Sequence, residues 1–126
     1  MSPSRIPGLA VAADMLAVVV FVAVGRLNHD ASGALLGFLA TLAPFAVGLL
    51  VSWATPVVRV NPAGLRAGAV VLAGTAVVGL ALRAAFTDQL PLTFAVVTVV
   101  ALGLLLLGWR GLAAAVARKA AGRPIR

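Results

Sequence analysis

Few side chains in this sequence have the chemistry for acid–base work or ion binding. The chain of 126 residues contains ten Lys and Arg, three Asp and Glu, and one His. It has no cysteine, which excludes disulfides, thiolate nucleophiles and Cys-ligated metals. The candidate functional residues are therefore Asp14, Arg26, His29, Asp30 and Arg83.

Asp14 is the most informative of these residues because it interrupts a long apolar run. A helix that begins near residue 9 places it roughly 9 Å from the helix start. At that depth an ionised carboxylate must pair, reach water or take up a proton. One hypothesis is a functional acid that faces the interior of a helix bundle. The other is a carboxylate near the first helical turn that reaches the interface, Arg59 or Arg66.

A second group of polar residues follows the same apolar run. Arg26, His29 and Asp30 have helical i, i+3 and i+4 spacing, so one further turn of helix would place them on one face. Such a cluster could bind an anion or titrate near neutral pH through His29. The alternative is a solvated helix end with an ordinary Arg26–Asp30 pair. A single histidine does not favour a metal site.

Arg83 lies near the end of a third apolar run. Its long side chain can extend to the headgroups of a membrane, which is the simpler interpretation. The alternative places Arg83 beside Arg26, where the two guanidinium groups would hold an anionic group.

Composition determines which elements must position these residues. The chain is 63% hydrophobic and 10% charged, with a mean hydropathy of +1.15, whereas soluble domains carry about 25% charged residues. A chain of this size cannot bury so much apolar surface in its own core. It is predicted to be an integral membrane protein. Its basic residues separate apolar runs instead of forming one polar face, so no nucleic-acid partner is expected.

Four segments are long and apolar enough to cross a bilayer, which takes about 20 residues of helix. They are predicted at about 9–25, 34–54, 67–86 and 90–109, followed by a basic tail at 110–126. They are too long, and lack the alternating pattern, for strands of a membrane barrel. Short links rich in Pro, Gly, Asn and Asp join them. The prediction is one all-α domain, 1–126, folded as a four-helix up-down-up-down bundle.

Charge distribution predicts the orientation of this bundle. One side receives eight basic residues and the other receives two, Arg26 and Arg83. The eight are Arg5, Arg59, Arg66, Arg110, Arg118, Lys119, Arg123 and Arg126. Because cytoplasmic loops retain Lys and Arg, both termini are predicted to be cytoplasmic in a bacterial plasma membrane.

Four further features follow from residue type. Trp53 and Trp109 fall at the inner helix ends and are predicted to anchor the interface. Pro44 removes one helical hydrogen bond, so a kink is expected in the second span. The third span is rich in Gly and Ala, which indicates either close packing within the bundle or a dimer face. The basic tail is expected to contact anionic lipid.

Several short motifs occur in a characteristic order along the chain. They are Asp14, Gly25-Arg26 with His29-Asp30, Pro44-Phe45 with Gly48 and Trp53, Leu82-Arg83, and Leu107-Gly108-Trp109-Arg110. In this order and spacing the chain resembles a bacterial membrane family called domain of unknown function 3054. The resemblance covers nearly the whole chain. It implies a small four-helix membrane protein without supplying an activity. The third connection departs from relatives in having Ala84-Ala85 where they are richer in glycine.

No phosphate-binding loop, dinucleotide fingerprint, catalytic triad or zinc motif occurs in the sequence. We therefore expect no enzyme activity, cofactor or metal. The chain is predicted to be a four-span membrane protein of unassigned activity. Its expected role is structural or accessory, and it is expected to act as a homo-oligomer or with a membrane partner. One alternative is a proton-coupled small-molecule or ion transporter that uses Asp14. The other is an outer-leaflet module that binds lipid or anions through Arg26, His29 and Arg83.

Overall fold

The structure is a computed structural model that describes residues 6–26, 34–88 and 92–121. These ranges contain five helices and no strand. The helices are α1 (Ile6–Arg26), α2 (Ala34–Trp53), α3 (Pro56–Val60), α4 (Leu65–Thr87) and α5 (Leu92–Ala121).

Four of the helices can span a membrane by length and composition. The candidate spans are Pro7–Gly25, Leu35–Trp53, Leu65–Phe86 and Leu92–Lys119. Large apolar side chains such as Leu36, 76% exposed, and Leu104, 72% exposed, point away from the bundle. Such surface is compatible with lipid and is rarely left open to water in a monomer. The predicted helical membrane bundle is confirmed, and the protein is a multi-pass membrane protein.

Two features of the helices differ from the sequence prediction. The connection between the second and third spans contains the short helix α3, which was not predicted. The last helix continues to Ala121 instead of ending at residue 109. Hydropathy locates the end of an apolar run, whereas the helix continues through good helix formers, mostly alanine, to Ala121. At 1.5 Å per residue α5 is about 45 Å long, so it exceeds a hydrocarbon core of about 30 Å.

Helices α2 and α4 approach each other closely because glycines line their contact. A Cβ atom on Gly48 would lie 2.8 Å from both the Gly74 carbonyl oxygen and the Thr75 Cα atom. A Cβ on Gly74 would collide with Ser52, and one on Gly79 would collide with Phe45. These small residues of α4 therefore serve packing within the bundle, one of the two roles that the sequence left open.

The core between the helices combines aromatic rings with aliphatic side chains. Phe45 of α2 is fully buried and meets Phe21 edge to face, with ring centroids 5.3 Å apart. The ring centroid of Phe94, on α5, lies 6.4 Å from that of Phe45. Helix α2 runs through Pro44 without interruption, so the missing hydrogen bond does not end the helix. The kink itself stays a prediction.

Candidate functional site

The buried polar centre of the bundle is an ion pair between Asp14 of α1 and Arg110 of α5. The Arg110 Nη1 donates to Asp14 Oδ1 at 2.8 Å, and Nη2 donates to Oδ2 at 2.8 Å. Both side chains are 0% exposed. This is the bidentate arrangement in which the planar guanidinium matches a carboxylate best.

Two indole groups complete the coordination of the carboxylate. The Nε1 of Trp53 donates to Asp14 Oδ2, and the Nε1 of Trp109 donates to Oδ1, each at 2.9 Å. Each carboxylate oxygen thus accepts one bond from the arginine and one from an indole. Since an ionised carboxylate offers about four acceptor positions, all of them are occupied by groups of this chain. We call these four residues, Asp14, Trp53, Trp109 and Arg110, the Asp14 cluster.

The guanidinium of Arg110 is held from several further directions. Its Nε donates to the Pro62 carbonyl oxygen at 2.9 Å, and Nη1 also donates to the Leu106 carbonyl oxygen at 3.1 Å. Its Cζ lies 4.4 Å from the centroid of the Trp109 ring, a distance that allows cation–π attraction. The arginine therefore has fixed position and orientation before any ligand is considered.

A glycine on α4 makes room for this arginine. A Cβ atom on Gly68 would lie 2.7 Å from Arg110 Cδ and 2.7 Å from Leu107 Cδ2. Together with Pro62, which precedes α4, Gly68 brings the third span against the Asp14 cluster. All four spans thus meet at one charge pair, which contacts α2 at its last residue, Trp53, and α4 near its beginning, at Gly68.

The charges of Asp14 and Arg110 cancel each other, and neither side chain is in contact with solvent. Removing two charges from water costs several kcal/mol per ion, and the mutual attraction offsets this only when the geometry is good and the remaining donors are satisfied. Both conditions hold here, because the contacts are short and the carboxylate is fully coordinated. Such a cluster can join helices, whereas it offers no free lone pair to a substrate.

The sequence left two environments open for Asp14, the bundle interior and the interface near the first helical turn. The structure places the Asp14 side chain in the bundle interior. The alternative partners were wrong, since Arg59 and Arg66 are exposed and Arg110 pairs with Asp14. Arg110 was assigned to the basic tail, whereas it lies within α5 and is buried against Asp14; the membrane side on which it lies stays a prediction. An intramembrane carboxylate calls for a basic partner, but sequence alone could not select Arg110 because the contact crosses from the first span to the last.

The two tryptophans were predicted to anchor the interface. Their N–H groups instead donate to Asp14, so the polar edge of each indole points into the bundle. Both side chains are partly exposed. The prediction that the indoles lie at headgroup depth is a separate statement and stays a prediction.

The candidate residues at the opposite end of the bundle are only partly described. Arg83 is half-buried, and its Cζ lies 4.8 Å from the centroid of the Phe94 ring. This contact holds the guanidinium against α5. The side chain of Arg26, and His29 and Asp30 entirely, lie outside the described residues. The proposed anion cluster and the Arg26–Arg83 clamp therefore stay predictions.

Within residues 6–26, 34–88 and 92–121, no group of three or more His, Cys, Asp or Glu side chains could hold a metal ion. The acidic residues in these ranges are Asp14, which is fully coordinated by its own chain, and Asp88.

The fold and the Asp14 cluster define a small four-span membrane protein whose first and last spans share a buried ion pair. Residues 11–113 match the family described as protein of unknown function DUF3054, and the chain belongs to that family. The match includes both Asp14 and Arg110. No curated protein and no solved structure matches the chain.

Proposed function

We propose that this protein is a structural or accessory component of its membrane, acting as an oligomer or beside a membrane partner, and not an enzyme. The observation that carries this proposal is the complete internal coordination of Asp14. Its two oxygens accept four hydrogen bonds, all from Trp53, Trp109 and Arg110. The most chemically distinctive side chain of the protein is thus used to hold its helices together.

The rival function is proton-coupled transport through Asp14. A carrier carboxylate must become accessible to water and exchange its Arg partner for a proton or a substrate. Here that exchange would break the bidentate pair and two indole hydrogen bonds within a fully buried site. The energetic cost of opening such a site favours the structural role over the transport role.

Flux measurements in liposomes distinguish the two roles. The full chain and Asp14→Asn are reconstituted at equal protein content with a pH-sensitive dye inside, and imposed gradients of protons and of a panel of cations and anions are followed. We expect equal flux for both proteins and a lower unfolding temperature for Asp14→Asn. Flux that the wild-type protein supports and Asp14→Asn loses, with an unchanged unfolding temperature, would overturn the structural role.

The accessory role has a test of its own. Native mass spectrometry of the gently extracted protein reports subunit number and stable companions together. We expect either a defined homo-oligomer or a stoichiometric companion protein. A monomer without a companion, obtained by extraction into lipid particles that avoid detergent, would contradict this role.

We further propose that the protein lies in a bacterial plasma membrane with both termini in the cytoplasm. The support is the uneven distribution of basic residues. Arg110 is left out of this count because it is buried in the ion pair with Asp14. Seven basic residues nevertheless remain in sequence on the proposed cytoplasmic side, against two on the other.

A further inference from the structure

A groove lies at the end of the bundle where α3 meets the beginning of α4. Its volume is about 400 Å³. It is lined by Pro56, Val57, Val60, Asn61, Arg66 and Ala67. The groove is separate from the Asp14 cluster, since none of the four cluster residues lines it.

The walls of this groove are mostly apolar and open. Val60 is 83% exposed and Val57 is 36% exposed, while Ala67 forms a buried floor. The valines belong to α3, which lies between two spans and therefore near the end of the hydrophobic region. A surface of this kind favours contact with an apolar chain.

The charged groups beside the groove have no carboxylate partner within the described chain. Arg66 lines the groove and Arg59 is the basic residue of the last turn of α3, and both are exposed. No hydrogen bond or ion pair is found for either side chain among the residues that the structure describes.

The two acidic residues in the described part of the chain, Asp14 and Asp88, do not supply this partner. Asp14 is fully coordinated within its cluster. Asp88 ends α4, about 33 Å from Arg66 at 1.5 Å per residue. Asp30 lies outside the described residues. Neither described carboxylate therefore neutralises Arg66, and its exposed guanidinium is open to an anion from outside the chain.

We propose that this groove binds one phospholipid with an anionic headgroup. The phosphate lies against Arg66, with Arg59 adding to the local positive potential, and the apolar part of the lipid covers Val57 and Val60. A soluble phosphate would satisfy the charge alone and would leave the valines uncovered. A lipid satisfies both features, because its charge and its apolar chains are joined at the depth where Arg66 and the valines meet.

Native mass spectrometry of the full chain in detergent micelles tests this proposal. The protein is titrated with phosphatidylglycerol and with phosphatidylcholine of identical acyl chains. We expect the first phosphatidylglycerol to bind at least about fivefold more tightly, and Arg66→Gln to remove about fivefold of affinity, the effect of one charge near a membrane surface. Val60→Ser should weaken the first binding event for both lipids.

Arg118→Gln is the matched control, because Arg118 is also exposed but lies on α5 outside the groove. It should change affinity for the first lipid by less than about twofold, since a micelle offers the tail no extended anionic surface. The proposal is overturned by equal losses in Arg66→Gln and Arg118→Gln, or by equal affinity for the two lipids. Competition of the first lipid by millimolar inorganic phosphate, with Val60→Ser unchanged, would identify an anion site instead.

Discussion

Asp14 and Arg110 lie 96 residues apart in the chain and are joined by two hydrogen bonds of 2.8 Å in the interior of the bundle. This pair links the first span to the last. Trp53 and Trp109 donate to the same carboxylate, so the second span is included as well. The stability of the whole bundle therefore depends strongly on a few polar side chains.

Arg110→Met should destabilise the protein strongly. The substitution leaves the Asp14 carboxylate buried without its counter-ion. Removing one partner of such a pair lowers the free energy of unfolding by about 3–5 kcal/mol. The free energy of unfolding in mixed micelles, followed by tryptophan fluorescence, measures this loss. Arg118→Met is the control for removal of a basic residue from the same helix, and it should leave the unfolding midpoint unchanged.

The double variant Asp14→Leu with Arg110→Met should be more stable than Arg110→Met alone, because no uncompensated charge remains. Its stability should stay below that of the wild type, since the N–H groups of Trp53 and Trp109 lose their acceptor. Additive losses in this double-mutant cycle would show that the two charges do not interact energetically.

Replacement of each tryptophan by phenylalanine should reveal the indole hydrogen bonds. Trp53→Phe keeps an aromatic ring and removes one donor to Asp14 Oδ2, which should cost about 1–3 kcal/mol. The combination with Asp14→Leu separates this bond from packing, because the Trp53→Phe effect should shrink when the acceptor is absent. An undiminished effect in that background would assign the loss to packing or interfacial anchoring instead.

The glycine contact between α2 and α4 gives a prediction about packing. Gly74→Ala places a methyl group where the Ser52 side chain lies, and it should cost about 1–3 kcal/mol. Gly108→Ala is the matched control, because a Cβ at Gly108 meets nothing within 4 Å. This control should be neutral or gain up to about 1 kcal/mol from helix propensity.

Ser52→Gly should partly rescue Gly74→Ala, because it removes the atoms that the new methyl group meets. The unfolding temperatures of the wild type, Gly74→Ala, Ser52→Gly and the double variant, measured in one detergent, give the comparison. Equal destabilisation by Gly74→Ala and Gly108→Ala would contradict the close approach of α2 and α4 at this position.

The absence of cysteine makes the orientation directly measurable. A membrane-impermeant maleimide should label Gln89→Cys, between α4 and α5, in intact cells. It should label Ala117→Cys, on the exposed last part of α5, only after the membrane is opened. The physical reason is the retention of basic segments in the cytoplasm. The reverse pattern would place both termini outside.

Internal pairing explains why the sequence did not reveal the role of Arg110. Arg110 follows Trp109 directly at the end of an apolar run, so in sequence it is indistinguishable from the tail cations Arg118 and Lys119. Its burial against Gly68 and its bond to the Pro62 carbonyl oxygen appear only when α4 is packed beside α5. The sequence shows that α4 contains small residues, but it does not show which side chains pack against them.

The four membrane-spanning helices were determined by the sequence alone, because residue transfer into lipid and helix formation depend on composition over about 20 neighbouring residues. The need of Asp14 for a partner was equally local, since a carboxylate in an apolar run is costly wherever the chain goes. Only the tertiary structure decided that this partner is Arg110, with Trp53 and Trp109 as the further donors. That choice depends on which helix faces meet, and helix packing joins residues that no spacing along the chain relates.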